Sequence, residues 1–226
     1  MIATVQVADL GLAPSLRAIL RRPKPSQTPG LRMAEVALCA PLALSGPPPI
    51  GRVGLIAFWD DEDAFDRFRD DDPLGQQFSG GLHARLRPLR AHGSWPGLPP
   101  DVPASRAVQS NGMVVVLTLG RLRISQAVRF LRASRPAERA AAAHEGMVWA
   151  SAAARPPFVA TVSIWQNAEL TTAYAYGPQP PAHRDAISAQ RRKDFHRRSA
   201  FIRFEPLRLE GTLRGPNPLA ASDLAR

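Results

Sequence analysis

Apolar and polar positions along this chain follow one pattern that is written twice. "TVQVADLG" and "VVVLTLG" are runs rich in β-branched residues, each closing on a glycine, Gly11 and Gly120, and both predict strands. "SLRAILR" and "QAVRFLR" follow, with apolar positions at helical spacing. Leu16, Ile19 and Leu20 share one helix face, as do Ala127, Val128 and Leu131. Pro14 suits a first turn and Ser125 a cap. "GLRMAEVAL" from Gly30 and "GMVWASAA" from Gly146 predict the next strands. "GLIAFW" and "ATVSIW" end on Trp59 and Trp165 and read as buried strands. Asp60-Asp61 and Gln166-Asn167 then cap two further helices. Their stripes, Ala64, Phe65 and Phe68 in one and Leu170, Ala173 and Tyr174 in the other, predict a face laid on a sheet. Each copy closes on a related line, "RLRPLRAHGSW" from Arg85 and "RFEPLRLEGTL" from Arg203, which share Arg, Pro, Leu, Arg and Gly at matching places.

Each half therefore reads strand-helix-strand-strand-helix-strand, the ferredoxin-like βαββαβ order. The expected organisation is a first repeat over 1–95, a Pro/Gly/Ser-rich linker over 96–112, a second repeat over 113–213 and a loose tail over 214–226. A ferredoxin-like sheet carries helices on one face and leaves the other bare, so the bare faces must find partners. The predicted fold class is α+β: two repeats packed sheet to sheet as a pseudo-dimeric α+β barrel, with the space between the sheets as a natural small-molecule site.

The copies differ in two places. The first carries a longer hairpin containing "SGPPPIG", which holds no reactive side chain. The second carries twelve extra residues within "AYGPQPPAHRDAISAQRRKDFHRRSAFIRF", predicting an inserted helix at about 178–200. This insertion holds His183 and His196 and the densest basic cluster of the chain. Thirteen residues of one helix would set these imidazoles about 140° apart, so they are not expected to converge. His183 sits in the first helical turn above Ile187 and Gln190. A neutral imidazole there is either a metal or haem ligand or a polar surface residue. His196 lies among arginines.

Composition narrows the field. The net charge of +10 raises a nucleic-acid or membrane partner, but the cations are nearly all arginine, with Lys24 and Lys193 the only lysines, in a chain rich in Ala and Pro. That reads as a coding bias rather than a basic face. Cys39 stands alone, which excludes an intrachain disulfide and a multi-cysteine zinc site. No secretory leader and no membrane-length apolar run is recognisable, so the expected location is the cytoplasm, or a membrane surface reached through a greasy substrate. No phosphate loop, nucleophile elbow or zinc helix is present. Tandem RNA-recognition modules share the βαββαβ order, but "VGLIAFW" and "FVATVSIW" lack their stacking motif, which leaves RNA binding a remote alternative.

"SIWQNAELTTAYAYG", "HRDAI" and "FHRRSAFIRFEPLRLEGT", with "GLIAFWDDEDAFDRF" and "HARLRPLRAHGSW" from the first half, resemble the spheroidene monooxygenase family of acyclic carotenoid 2-ketolases. The likeness runs from about Thr4 to Gly211 and is strongest in the second half. It implies a duplicated ferredoxin-like fold that binds haem b and uses dioxygen and an electron donor on a hydrophobic or small organic substrate. It implies His183 of "HRDAI" as the axial ligand, with His196 next in line. Arg184 and Arg191, seven apart, would meet haem propionates or form a solvated basic face. Trp149 and Trp165 are candidates for pocket walls or for ordinary core. The chain departs from the family where an aromatic-plus-acidic segment is expected: "DFHRRSAF" offers Phe195, but Arg197 and Arg198 replace the acids. A ligated ferric haem also supports peroxidase-like or dehydratase-like chemistry. The alternative is a cofactor-free enzyme or small-molecule-binding protein on the same barrel.

Overall fold

The computed structural model describes residues 1–42, 49–105, 112–177, 194–211 and 213. The first half runs β1 (Ile2–Asp9), α1 (Leu12–Leu20), β2 (Leu31–Pro41), β3 (Arg52–Trp59), α2 (Glu62–Asp71), the short α3 (Pro73–Gln77) and β4 (Leu82–Gly93). The second runs β5 (Val114–Leu122), a 3₁₀ turn (Ile124–Gln126), α4 (Ala127–Ala142), β6 (Met147–Arg155), β7 (Phe158–Trp165), α5 (Ala168–Tyr176) and β8 (His196–Glu210). The expected βαββαβ order thus appears twice, and the eight strands close into one antiparallel barrel in the order β1-β3-β2-β6-β7-β5-β8-β4. Each half contributes a four-stranded sheet, and the sheets join edge to edge through β2·β6 and β4·β8. Closure removes every sheet edge and turns both bare faces inward.

The two seams follow a pseudo-two-fold. In β4·β8, Arg87 pairs with Glu205, the residue 118 positions later that corresponds to it in the second copy. Leu86 pairs with Pro206 and Pro88 with Phe204 on either side of that point. In β2·β6, Leu38 pairs with Ala154, again its own counterpart, and matching bulges at Leu31/Met33 and Met147/Trp149 fix this equivalence. The glycine of each repeated closing line is explained too. Gly93 and Gly211 have φ of 87° and 89°, and a Cβ would come within 2.3 Å of Ser199 O and 1.9 Å of Gly81 O respectively.

Alternation along the strands sorts side chains into an interior and two outer layers. The interior is one apolar cluster that includes Val5, Ile56, Phe58, Leu117, Phe158, Ile202 and Phe204. Outside the first half, Trp59, Phe65, Phe68 and Phe78 lie under the helices. Outside the second, Val114, Ala141, Trp165, Ala168 and Tyr174 do the same. Capping agrees with expectation at Asp61, which accepts from Ala64 N (2.8 Å), and at Asn167, which accepts from Leu170 N (2.8 Å). Ser125 caps nothing: the chain enters α4 through a 3₁₀ turn, and no side chain bonds the helix start. The α2 stripe is buried as predicted. In α5 the buried positions are Ala168, Thr171 and Tyr174, and Ala173 faces out. The apolar faces of α1 and α4 are also turned outward, with Ser15 and Ala18 buried in place of Leu16 and Leu20, and Ala137 and Ala141 in place of Val128 and Leu131. Small residues at the contact let these helices lie close to the sheet, which leaves the larger ones in solvent.

Candidate functional site

Strand β2 interrupts the apolar lining of the barrel with one carboxylate. Met33, Ala37 and Cys39 point inward, and so does Glu35, opposite the inward Ile56 of β3. Its side chain is 3% exposed. Three guanidinium groups close over it. Arg121, near the end of β5, donates through Nη2 to Oε1 at 2.6 Å. Arg155, the last residue of β6, donates to Oε2 and, through Nε, to Val36 O at 3.0 Å. Arg22, just beyond α1, stands 3.7 Å from Oε2. A carboxylate removed from water needs such partners, and the three cations leave a local excess of positive charge. Trp95, beyond β4, forms the floor: Arg121 Cζ lies 5.5 Å from its ring centroid, and its ring packs on Phe158 at 5.9 Å. The Trp95 indole Nε1 is buried with no hydrogen-bond partner among the described residues. The interior is thus apolar along its length and polar at one end. Sequence reasoning passed over this group, although Glu35 is the only charged residue in "MAEVALCA", at a position whose strand parity points inward.

Trp149 packs half-buried against the interior cluster, opposite the inward Ile164. Trp165 sits one position further along β7 and therefore on the outer face. Its Nε1 donates to Ser163 Oγ at 2.9 Å, and its ring meets His144 (5.4 Å) and Tyr174 (5.2 Å). The two tryptophans do not share a surface. His196 is turned outward as well, by the bulge between Arg121 and Leu122 in the β5·β8 ladder. Its ring packs edge-on against Phe130 at 5.2 Å and lies over Gly120, where a Cβ would come within 2.5 Å of Cδ2 and 2.7 Å of Nε2. Burial pushes its pKa down, partly offset by Asp194. His183, Arg184 and Arg191 lie outside the described residues.

The remaining described histidines do not face the interior either. His83 takes Nε2 to Phe78 O (2.8 Å) and Nδ1 to Gln6 Nε2 (3.2 Å), which makes it a neutral Nε2–H imidazole, and burial lowers its pKa. It lines an outer groove of about 500 Å³ with Arg69, Ser79, Arg208 and Glu210. His144 Nδ1 accepts from Gly146 N at 3.1 Å, and His92 is exposed. Among the described residues no group of three or more His, Cys, Asp or Glu side chains could hold a metal ion. None of the described histidines faces the barrel interior, and His183 lies outside the described residues. No described helix is long and apolar enough to cross a membrane.

Fold and site together define a duplicated ferredoxin-like α+β barrel with an apolar interior and a buried ionic group at one end. The chain is 34% identical over 174 residues to the spheroidene monooxygenase of Rubrivivax gelatinosus, covering 74% of this chain and 65% of that protein. It is 32% identical over 148 residues to the enzyme of the same name from Rhodobacter capsulatus, covering 64% and 61%. The resemblance to the spheroidene monooxygenases holds, and the chain is a relative of them that spans just under two thirds of the length of these two proteins. A crystal structure of aldoxime dehydratase superposes with a TM-score of 0.52 at 10% identity, covering 91% of this chain and 80% of that one, which shows a common fold alone. No family model matches the sequence.

Proposed function

We propose that the protein is a monooxygenase acting on a hydrophobic or small organic substrate. The observation that carries this is the 34% identity to a spheroidene monooxygenase over 74% of the chain. The apolar barrel supports it, since such an interior excludes water and favours an apolar ligand over a charged one. Half-buried Trp149 offers a stacking wall where the interior cluster meets solvent. The Glu35 group closes the polar end, where Arg121 and Arg155 hold the carboxylate in place. One oxygen atom enters the substrate; the other leaves as water, with two electrons and two protons from an external donor.

The finer reading is that haem b is the oxygen-activating group, held by His183 with Arg184 and Arg191 near its propionates; it rests on the resemblance at "HRDAI". When bound, a haem supplies oxygen activation. The test has two arms. Protein made with a haem precursor is examined by absorption beside His183→Ala: a Soret band lost or shifted in the variant supports ligation through His183, and no band in either leaves a cofactor-free barrel. Incubation with spheroidene, a reductant and ¹⁸O₂ is then read by mass. One labelled oxygen in the product is expected. No incorporation into spheroidene or into shorter apolar substrates would sink the monooxygenase reading.

A further inference from the structure

Among the described residues, seven of the ten exposed large hydrophobic side chains gather on two helices and the seam between them, the others being Ile50, Phe201 and Leu207. Leu12, Leu16 and Leu20 form one stripe on α1, with Leu20 84% exposed. Ile124, Val128 and Leu131 form another through the 3₁₀ turn and α4, with Val128 63% exposed. The two helices are counterparts in the repeat. Helix α1 packs over β2 and β3, and α4 over β6. Since β2 and β6 pair at the seam whose pseudo-two-fold passes through Leu38 and Ala154, the helices flank that seam symmetrically. Leu38 faces outward on the axis between them and is 42% exposed. Leu42, which leaves β2 at the same seam, packs on the cluster beneath α4 and joins the two sides.

Charge accompanies this apolar surface. From Leu12 to Lys24 there are four cations and no acid. From Arg123 to Arg139 there are five arginines and one acid, Glu138, whose pKa burial pushes up. Arg17, Arg21, Arg132 and Arg135 are exposed beside the stripes. The opposite balance holds on the other helix of the first half, where residues 60–72 carry eight acids and two arginines. A helix face with leucines flanked by arginines, repeated on both sides of an axis, has the composition of an interfacial amphipathic surface. A second copy would set two cationic faces against each other, whereas an anionic bilayer complements both charge and stripe.

We propose that α1, α4 and the β2–β6 seam between them form a docking face for an anionic lipid bilayer, on which the barrel lies without spanning the membrane. The proposal stands independently of the oxygenase reading, because its readout is binding alone.

The experiment is vesicle flotation of the full chain. Phosphatidylcholine vesicles containing phosphatidylglycerol are compared with phosphatidylcholine alone. The wild type is expected to float with the anionic vesicles and far less with the neutral ones. Leu16→Ser/Val128→Ser should weaken partitioning by roughly tenfold or more with an unchanged circular dichroism spectrum, because both side chains are exposed and lie outside the buried core clusters. Arg21→Gln/Arg132→Gln should weaken binding and flatten its salt dependence. Phe201→Ser, which removes an exposed aromatic on β8, should bind as the wild type does. The proposal is overturned if the wild type ignores anionic vesicles or if the Leu16/Val128 variant binds normally. It is also overturned if Phe201→Ser costs as much, or if the wild type forms a dimer that Leu16→Ser/Val128→Ser dissolves and does not bind lipid.

Discussion

Trp59 and Trp165 occupy equivalent places, at the ends of β3 and β7 beneath the second helix of each half, yet they are packed with different chemistry. Trp59 is fully buried, with the rings of Phe65 at 5.8 Å and Phe68 at 5.1 Å, and its Nε1 donates to Thr4 Oγ1 on the neighbouring strand at 2.9 Å. Around Trp165, Phe68 is answered by Tyr174 at 5.2 Å, and Phe65 by Thr171, whose hydroxyl donates to Asn167 O at 2.9 Å. The space a second phenyl ring would fill is taken by His144 at 5.4 Å. Around Trp59 both helix-borne ring neighbours are phenyl groups; around Trp165 their places are taken by side chains that need hydrogen-bond partners. Duplication preserves geometry first and lets composition drift where partners can be found.

This contrast predicts unequal costs for equivalent truncations. Phe65→Ala should destabilise by about 3–5 kcal/mol, and Thr171→Ala by about 1 kcal/mol or less, in urea unfolding followed by fluorescence. Equal costs would break the comparison. Glu35 supplies a second asymmetry, because its counterpart in the repeat is Ser151, an uncharged side chain whose hydroxyl donates to Ala40 O at 3.1 Å. Glu35→Gln should cost about 2–3 kcal/mol by the same measurement, since it leaves Arg121 and Arg155 with a neutral partner in a buried setting, although both arginines keep some solvent. Ser151→Ala should cost clearly less. Tyr174→Phe removes one hydrogen bond, from the Tyr174 hydroxyl to Ala137 O at 2.8 Å, and should cost about 1 kcal/mol. Phe68 has no such bond to lose.

The smallest effect is in pH. His83 in the first half and His196 in the second both have pKa values lowered below 6.5 by burial. Above 6.5 both folded and unfolded states hold them neutral, so nothing is lost there. As pH falls through 6.5 the unfolded chain takes up protons first, and stability drops. Unfolding midpoints between about pH 8 and about pH 5 should fall on acidification, and His83→Asn should flatten that slope. A midpoint that rises on acidification would contradict both placements.

The fold was legible because its signals are periodic. The repeated closing lines, the two strand-ending tryptophans and the Asp61 and Asn167 caps each carry local information, and the barrel follows from two bare sheet faces in one chain. Burial within helices was less legible. Helical spacing located the stripes on α1 and α4 but could not say which face the sheet takes, and Ala18 and Ala137 won the contact through small size rather than hydrophobicity. The polar end of the barrel was missed because its members come from β2, β5, β6 and the segments after α1 and β4, which only closure brings together. Glu35 alone carried a local sign, an acid at an inward strand position. The direction of His196 was not legible, because its outward turn depends on a bulge set by tertiary pairing.

The pairing of Arg87 with Glu205, whose Nε–Oε2 distance is 3.1 Å, lies on the pseudo-two-fold of the β4·β8 seam. In an assembly of two identical chains a residue on a two-fold axis meets only itself, and a charge there meets its own sign. Opposite charges can face one another on the axis only once the two halves have separate codons. This ion pair therefore marks divergence of the two copies: two free first halves would place arginine against arginine, two free second halves glutamate against glutamate, and a chain divided between the repeats would reassemble most readily as one of each.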